Sequence, residues 1–315
     1  MNILIIGCGA IGGFYASRLY RCCKSVTVTA RGEHLLAIKK KGLKVTHAGI
    51  QSVCALTALD HTTLKTDFRS DQFDMIIVCL KANQLLTVLK DLEKWLELST
   101  CPILSLQNGI DSESTLCSFL NPKRIWGGTA IKIGGEVVKP GEIVSAGIAK
   151  ITYGPWPILK RGQMMPDELI TFAKYLALAN IPFELTSDIQ TELWKKLVIN
   201  NGVNPLSAIT GLNTFELTHN PYYAAIVYAA MQETAAAALY DGVELTQQDI
   251  DSLFELIKNF IPIKTSMLID KEKGRQIELE AIVGAVVKRC KQRGVPAPQN
   301  QKFLHRLSDL ASKTC

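Results

Sequence analysis

The sequence predicts an α/β domain on a mostly parallel sheet with an antiparallel extension, spanning 1–187, followed by an all-α domain spanning 188–315. Three observations carry this expectation. Short continuous Val/Ile/Leu runs alternate with helical patterns through the first half, which is how strands buried on both faces of a parallel sheet read. Paired glycines and a Pro-Gly step punctuate 126–153 and suit antiparallel strands. From about Ser187 onward the apolar spacing is almost wholly helical. At 315 residues the chain is long enough for two cores.

In chain order, Ile3–Ile6 is predicted as a strand, Gly12–Cys22 as a helix and Ser25–Thr29 as the second strand. A helix over Glu33–Lys41 and an extended piece from Leu43 to about Thr46 follow. Met75–Leu80 is a buried strand, Gln84–Leu98 a helix and Pro102–Leu106 another buried strand. Trp126–Tyr153 supplies the antiparallel strands, Pro166–Asn180 a helix and Ile181–Leu185 a last strand. The second domain reads as helices over Asp188–Leu206, Tyr222–Tyr240, Gln247–Phe260 and Gln276–Arg293, with Thr246 as a helix cap and Asp249 near the positive helix end. With no repeat or low-complexity linker, the domains are expected to meet along an interface with a cleft. The Ala-rich Tyr222–Tyr240 helix suits either packing within its domain or a homodimer interface.

An apolar fraction of 47% and a charged fraction of 20% are those of a soluble globular protein. The net charge of +6 is spread along the chain, and the Lys39–Lys41 cluster reads as a solvated helix end, so neither nucleic acid nor membrane is expected as a partner. Nine scattered cysteines without CxxC pairs read as reduced thiols and give no metal spacing. The chain opens directly on a strand, and no apolar run approaches the ~20 residues that span a bilayer. A cytoplasmic protein is expected.

Gly7-Cys8-Gly9-Ala10-Ile11-Gly12 follows the first strand and opens the first helix. The first glycine permits the tight turn, the second lets backbone approach a pyrophosphate, and the third allows close helix–strand packing. The phosphates then lie over a helix N-terminus, where free N–H groups favour anions. This is a Rossmann fingerprint, and the cofactor expected is a dinucleotide. After the second strand stands Arg31, whose guanidinium suits a phosphate, so NADPH is favoured. Glu33, two residues on, is the dissenting acid and reads as part of the next helix's first turn.

Two more loops follow apolar strands, at the carboxyl ends where open α/β sheets bind ligands. They carry Lys81 and Asn108. In the second domain Lys196, Asn200 and Asn204 stand at helical i, i+4, i+8 spacing, placing one cation and two carboxamides on a single face. Together with Gly7–Gly12, Arg31, Pro205, the run Thr265-Ser266-Met267-Leu268, Asp270 and Glu278, this order resembles the ketopantoate reductase (2-dehydropantoate 2-reductase) family along essentially the whole chain. The resemblance implies a Rossmann domain joined to a helical domain, and NADPH-dependent reduction of 2-dehydropantoate to (R)-pantoate on the route to pantothenate and coenzyme A. It makes Lys196 the proton donor and Glu278 an active-site carboxylate. Asn108, Asn200, Asn204 and Ser266 become substrate contacts, with Lys196 itself in the substrate site. Gly7–Gly12, Arg31, Lys81 and Asn108 fall on the cofactor side.

The chemistry agrees with these roles. Hydride delivery to a ketone builds negative charge on its oxygen, which a positioned ammonium stabilises and then protonates. Carboxamides bind hydroxyl and carboxylate groups. With the redox step carried by the nicotinamide, no metal is needed. On the residues alone, plainer readings remain. Lys81 suits a solvated loop, Asn200 and Asn204 suit bonds to backbone with the helix ending before Pro205, Ser266 suits a helix cap, and Glu278 suits a surface ion pair. Asn201 and Trp194 read as structural, and no histidine is assigned a role. Thr214 stands where the family usually has an asparagine, with Asn213 one position early. That departure keeps open a related reductase of another branched 2-oxo acid, and a non-catalytic NADPH-binding regulatory protein stands as the alternative from another class.

Overall fold

The computed structural model describes residues 1–160 and 162–312. The chain divides into two compact units: Met1–Gln107 with Ser112–Ile189, and the short excursion Asn108–Asp111 with the chain from Gln190 onward.

The first unit is built around a ten-stranded sheet. In chain order its elements are β1 (Asn2–Ile6), α1 (Ala10–Leu19), β2 (Ser25–Thr29), α2 (Gly32–Lys41), β3 (Leu43–His47), β4 (Ile50–Cys54), β5 (Thr57–Leu59), α3 (His61–Asp67), β6 (Met75–Val78), α4 (Ala82–Glu97), β7 (Ile103–Ser105), α5 (Ser112–Phe119), β8 (Ile125–Lys139), β9 (Glu142–Pro155), α6 (Asp167–Leu178) and β10 (Phe183–Leu185). The strand order is β4-β3-β9-β8-β7-β6-β1-β2-β5, with β10 paired to β9. Strands β1, β2, β5, β6, β7 and β8 pair in parallel, and their apolar runs are the ones the sequence exposes most clearly. Ile3, Leu4 and Ile5 are fully buried, their side chains feeding two apolar clusters on opposite faces of the sheet. The antiparallel extension is the long β8–β9 hairpin, turned at Gly141 with φ +76°. The sequence reading had no element between His47 and Asp74. The structure places β4, which pairs with β3, and β5 and α3 there, because short, half-polar edge elements leave little hydrophobic pattern.

The second unit is helical: α7 (Ile189–Thr210), α8 (Thr214–His219), α9 (Pro221–Ala238), α10 (Gln247–Lys258), α11 (Ser266–Glu272), α12 (Ala285–Arg293) and α13 (Pro298–Ser312). Helix α7 does not stop before Pro205 but continues through it to Thr210. Proline has a helix-compatible φ, and its missing N–H frees one carbonyl in the preceding turn. The real end is Gly211 at φ +81°, whose N–H bonds Ser207 O at 2.8 Å. The Ala-rich α9 buries a face within its unit, Val227, Ala230, Met231 and Thr234 among the residues on it. It approaches α7 so closely that a Cβ on Gly202 would stand 2.7 Å from Met231 Cγ. The predicted helix over Gln276–Arg293 starts only at Leu279, with a π-turn over Glu280–Gly284 before α12, so Glu278 lies in irregular chain just ahead of it. Helices α8, α11 and α13 are too short or too polar to have stood out in the sequence.

Candidate functional site

In the first unit, the register pairs Ile6 with Val78 and Val78 with Ser105, so β1, β6 and β7 end at one level. The turn after β1 is fixed from several sides. Gly7 N–H donates to Thr29 Oγ1 at 3.0 Å and Cys8 N–H to Thr29 O at 2.8 Å. Gly7 has φ +102°, and a Cβ there would meet Leu80 Cδ2 at 2.9 Å. A Cβ on Gly12 would stand 2.1 Å from Gly7 O, so the turn closes only around a bare α-carbon. Gly9 is different: it is exposed, and a Cβ there would meet nothing within 4 Å. Gly9 is also the N-cap of α1, with no side-chain cap and no acidic residue in the first turn. A smooth, uncapped, positive helix end is what a pyrophosphate requires. The residues present therefore fit a dinucleotide: Gly7, Cys8, Gly9, Ala10, Ile11 and Gly12 offer backbone to it.

Cys8 contributes main chain rather than chemistry, since burial pushes its thiol up to about 12. Arg31 is exposed at the end of β2 as the N-cap of α2, and Glu33 lies in the first turn of that helix. Lys81 is the N-cap of α4, half-buried, and the neighbouring Leu80 O accepts from Gln107 Nε2 at 3.1 Å.

Sequence reasoning missed His34. Gly141 N–H donates to its Nδ1 at 3.0 Å, so Nε2 carries the proton and faces Cys8 O at 2.8 Å. One imidazole thus ties the glycine turn to the β8–β9 hairpin, and no spacing in the sequence announces that. Burial lowers its pKa below the ordinary 6.5, outweighing the bond to the Cys8 carbonyl, which favours the charged ring. Folding then favours the neutral ring. The unfolded chain binds more protons below about pH 6.5, and the stabilisation present above that value is lost as pH falls towards the depressed pKa. His47 and His61 are depressed by burial too. Thermal stability is therefore expected to fall between about pH 7.5 and about pH 5.5, and less steeply in His34→Gln. An identical pH slope for the variant in melting experiments would remove His34 as a contributor.

In the second unit, Lys196, Asn200 and Asn204 lie on the unbroken α7, the first two half-buried and Asn204 buried. Their neighbour Asn201 is structural: its Nδ2 bonds Thr234 Oγ1 at 2.7 Å and also Asn300. The Asn200 and Asn204 carboxamides are not spent on hydrogen bonds to other described residues. Lys195 pairs with Glu192 at 2.9 Å. Glu278 is 9% exposed and accepts from Asn108 Nδ2 at 2.9 Å, which joins residues 170 positions apart in sequence. Ser266 is exposed at the first position of α11, and the cap there is Thr265, whose Oγ1 accepts from Leu268 N–H at 3.3 Å. Thr214 is buried. Its N–H donates to Ile263 O at 3.0 Å and its Oγ1 accepts from Ile263 N–H at 3.2 Å, while Asn213 forms a capping box with Glu216. Among the described residues, no group of His, Cys, Asp and Glu could hold a metal ion, and no helix is long and apolar enough to cross a membrane.

An uncapped Rossmann glycine turn in one unit and a cation–carboxamide ladder in the other define a dinucleotide-dependent oxidoreductase. Residues 3–157 match the family described as "Ketopantoate reductase PanE/ApbA", and residues 188–311 match "Ketopantoate reductase PanE/ApbA C terminal". The chain belongs to the ketopantoate reductase family. It is 28% identical over 307 residues to the 2-dehydropantoate 2-reductase of Pyrococcus horikoshii, covering 95% of this chain and 94% of that protein. Against the enzyme of that name from a Nostoc species it is also 28% identical, over 97% and 94% of the two chains. The crystal structure of 2-dehydropantoate 2-reductase from Methylococcus capsulatus superposes with a TM-score of 0.83 at 27% identity, covering 100% and 98%. D-mandelate dehydrogenase, solved with NADH and anilino(oxo)acetate, shares the fold with a TM-score of 0.88 at 24% identity, covering 100% and 99%.

Proposed function

We propose that this chain reduces 2-dehydropantoate to (R)-pantoate with NADPH, with Lys196 as the proton donor. The observation that carries the reading is the Lys196/Asn200/Asn204 ladder on one continuous helix, in the same unit as the Asn108–Glu278 pair. When bound, the nicotinamide supplies hydride to the 2-oxo carbon. The Lys196 ammonium stabilises the charge that grows on the carbonyl oxygen and then gives that oxygen a proton. Asn200, Asn204 and Ser266 hold the hydroxyl and carboxylate of the substrate. Glu278, accepting from Asn108, holds that carboxamide in place and serves as the carboxylate partner of the site. Gly7–Gly12 seat the pyrophosphate, and Arg31 and Lys81 hold the cofactor's remaining anionic groups, with Arg31 selecting the 2′-phosphate. The Pyrococcus horikoshii and Nostoc relatives are named for the same substrate.

The Thr214 contacts favour one second reading, a different branched 2-oxo acid. A side chain bound to the Ile263 backbone is not offered to a ligand as the family's asparagine is. Following NADPH absorbance with purified protein decides between them. Oxidation with 2-dehydropantoate supports the first reading, oxidation only with another 2-oxo acid selects the second, and none with any 2-oxo acid sinks both. Cofactor choice is tested with Arg31→Ala. A lost charge-assisted contact of about 1.5–3 kcal/mol predicts roughly 10–100-fold weaker NADPH binding with NADH almost unaffected. Equal weakening of both cofactors would show that Arg31 does not read the 2′-phosphate.

A further inference from the structure

We propose that Arg289 is a positioning residue that clamps the Asn108–Asp111 loop through Asp111 and so fixes Asn108 on Glu278. The inference rests on the reductase reading for its catalytic consequence, though the clamp itself is geometric. Arg289 stands on α12 with its side chain 10% exposed. Its Nη2 donates to Asp111 Oδ1 at 2.7 Å and its Nε to Asp241 Oδ2 at 2.8 Å. The guanidinium also lies 5.5 Å from the ring centre of Trp194, a fully buried residue on α7 two positions before Lys196. One planar cation therefore touches the loop, the segment after α9, and the helix that carries the proposed acid.

The loop is pinned at its other end as well. Asn108 donates to Glu278 at 2.9 Å. Between them Gly109 has φ +90°, and a Cβ there would stand 2.9 Å from Ala281 O, so the backbone lies directly on the π-turn that follows Glu278. Four residues are thus held by a carboxamide–carboxylate bond at one end and a charge-assisted guanidinium–carboxylate bond at the other. Bonds of the second kind are short and directional, suited to fixing a position. Asp111 makes the bond that matters to the loop. Arg289 keeps Asp241 when Asp111 is cut, so the variant does not strand a buried charge.

The test cuts the clamp at Asp111, whose side chain is 51% exposed. In Asp111→Ala, amide hydrogen exchange in a peptide covering 107–112 is expected to speed up by about tenfold or more. Displacement of Asn108 should lower kcat/KM for the 2-oxo acid by about tenfold while the melting temperature stays near wild type. Asp111→Asn keeps the Oδ1 acceptor and should recover most of the loss. Unchanged exchange in Asp111→Ala overturns the clamp. Faster exchange with unchanged kcat/KM overturns its positioning role, as does a loss that simply tracks the melting temperature. A wild-type protein that oxidises no NADPH is a failure of the reductase reading, and the exchange data then decide the clamp by themselves.

Discussion

Lys196→Ala is expected to lower kcat for NADPH oxidation by roughly 10²–10⁴-fold, the range that positioned general acids supply. The same variant is expected to bind NADPH nearly as wild type does, because the glycine turn, Arg31 and Lys81 proposed for the dinucleotide lie in the other compact unit. The size of the effect follows from what is removed. Without an ammonium at the carbonyl oxygen, the growing negative charge must be met by water or by carboxamides, which stabilise it less and do not give up a proton. Lys195→Ala is the internal control. Its ammonium is paired with Glu192 one turn back rather than assigned to the substrate, so its loss should leave kcat within about threefold. Stopped-flow turnover and fluorescence titration separate the two quantities. A Lys196→Ala enzyme that keeps more than about a tenth of wild-type kcat would remove Lys196 as the acid.

The part of the molecule legible in the sequence is the part governed by short-range pattern. The parallel strands declare themselves because burial on both faces forces continuous apolar runs, and the glycine turn because each glycine answers a separate steric demand. The ladder is legible since i, i+4 spacing needs only a helix, and α7 runs through Pro205 to Thr210, one turn beyond the expected end at Leu206. Contacts made by tertiary convergence were not legible. His34 reaches the Cys8 carbonyl across 26 residues, and Arg289 reaches Asp111 across 178. Glu278 was singled out through resemblance, and its place ahead of the helix rather than on it comes from a π-turn that sequence spacing does not reveal. Ser266 yields the capping role to Thr265, its equally plausible neighbour, since both hydroxyls fit the local pattern and only the backbone geometry separates them.

Gly9→Ala and Gly12→Ala form a matched pair whose outcomes should diverge. At Gly12 the added methyl meets Gly7 O at 2.1 Å and Cys79 Cβ at 2.9 Å, so the turn must open against its own backbone. Overpacking of this kind typically costs about 1–3 kcal/mol, and here it also displaces the N–H groups that would receive phosphate. Both stability and dinucleotide affinity are expected to fall, affinity by at least about tenfold, for which 1.4 kcal/mol suffices. At Gly9 the methyl meets no atom of the protein, and the φ of −81° is one alanine adopts without strain. Melting temperature should therefore hold in Gly9→Ala. The methyl nevertheless stands at the open end of α1, where the pyrophosphate is proposed to approach backbone directly, so affinity for the dinucleotide should again drop by about tenfold or more. Loss of binding without loss of stability at position 9, and of both at position 12, is a signature that a purely structural glycine turn does not produce. If Gly9→Ala binds NADPH as tightly as wild type, the phosphates do not lie over this helix end.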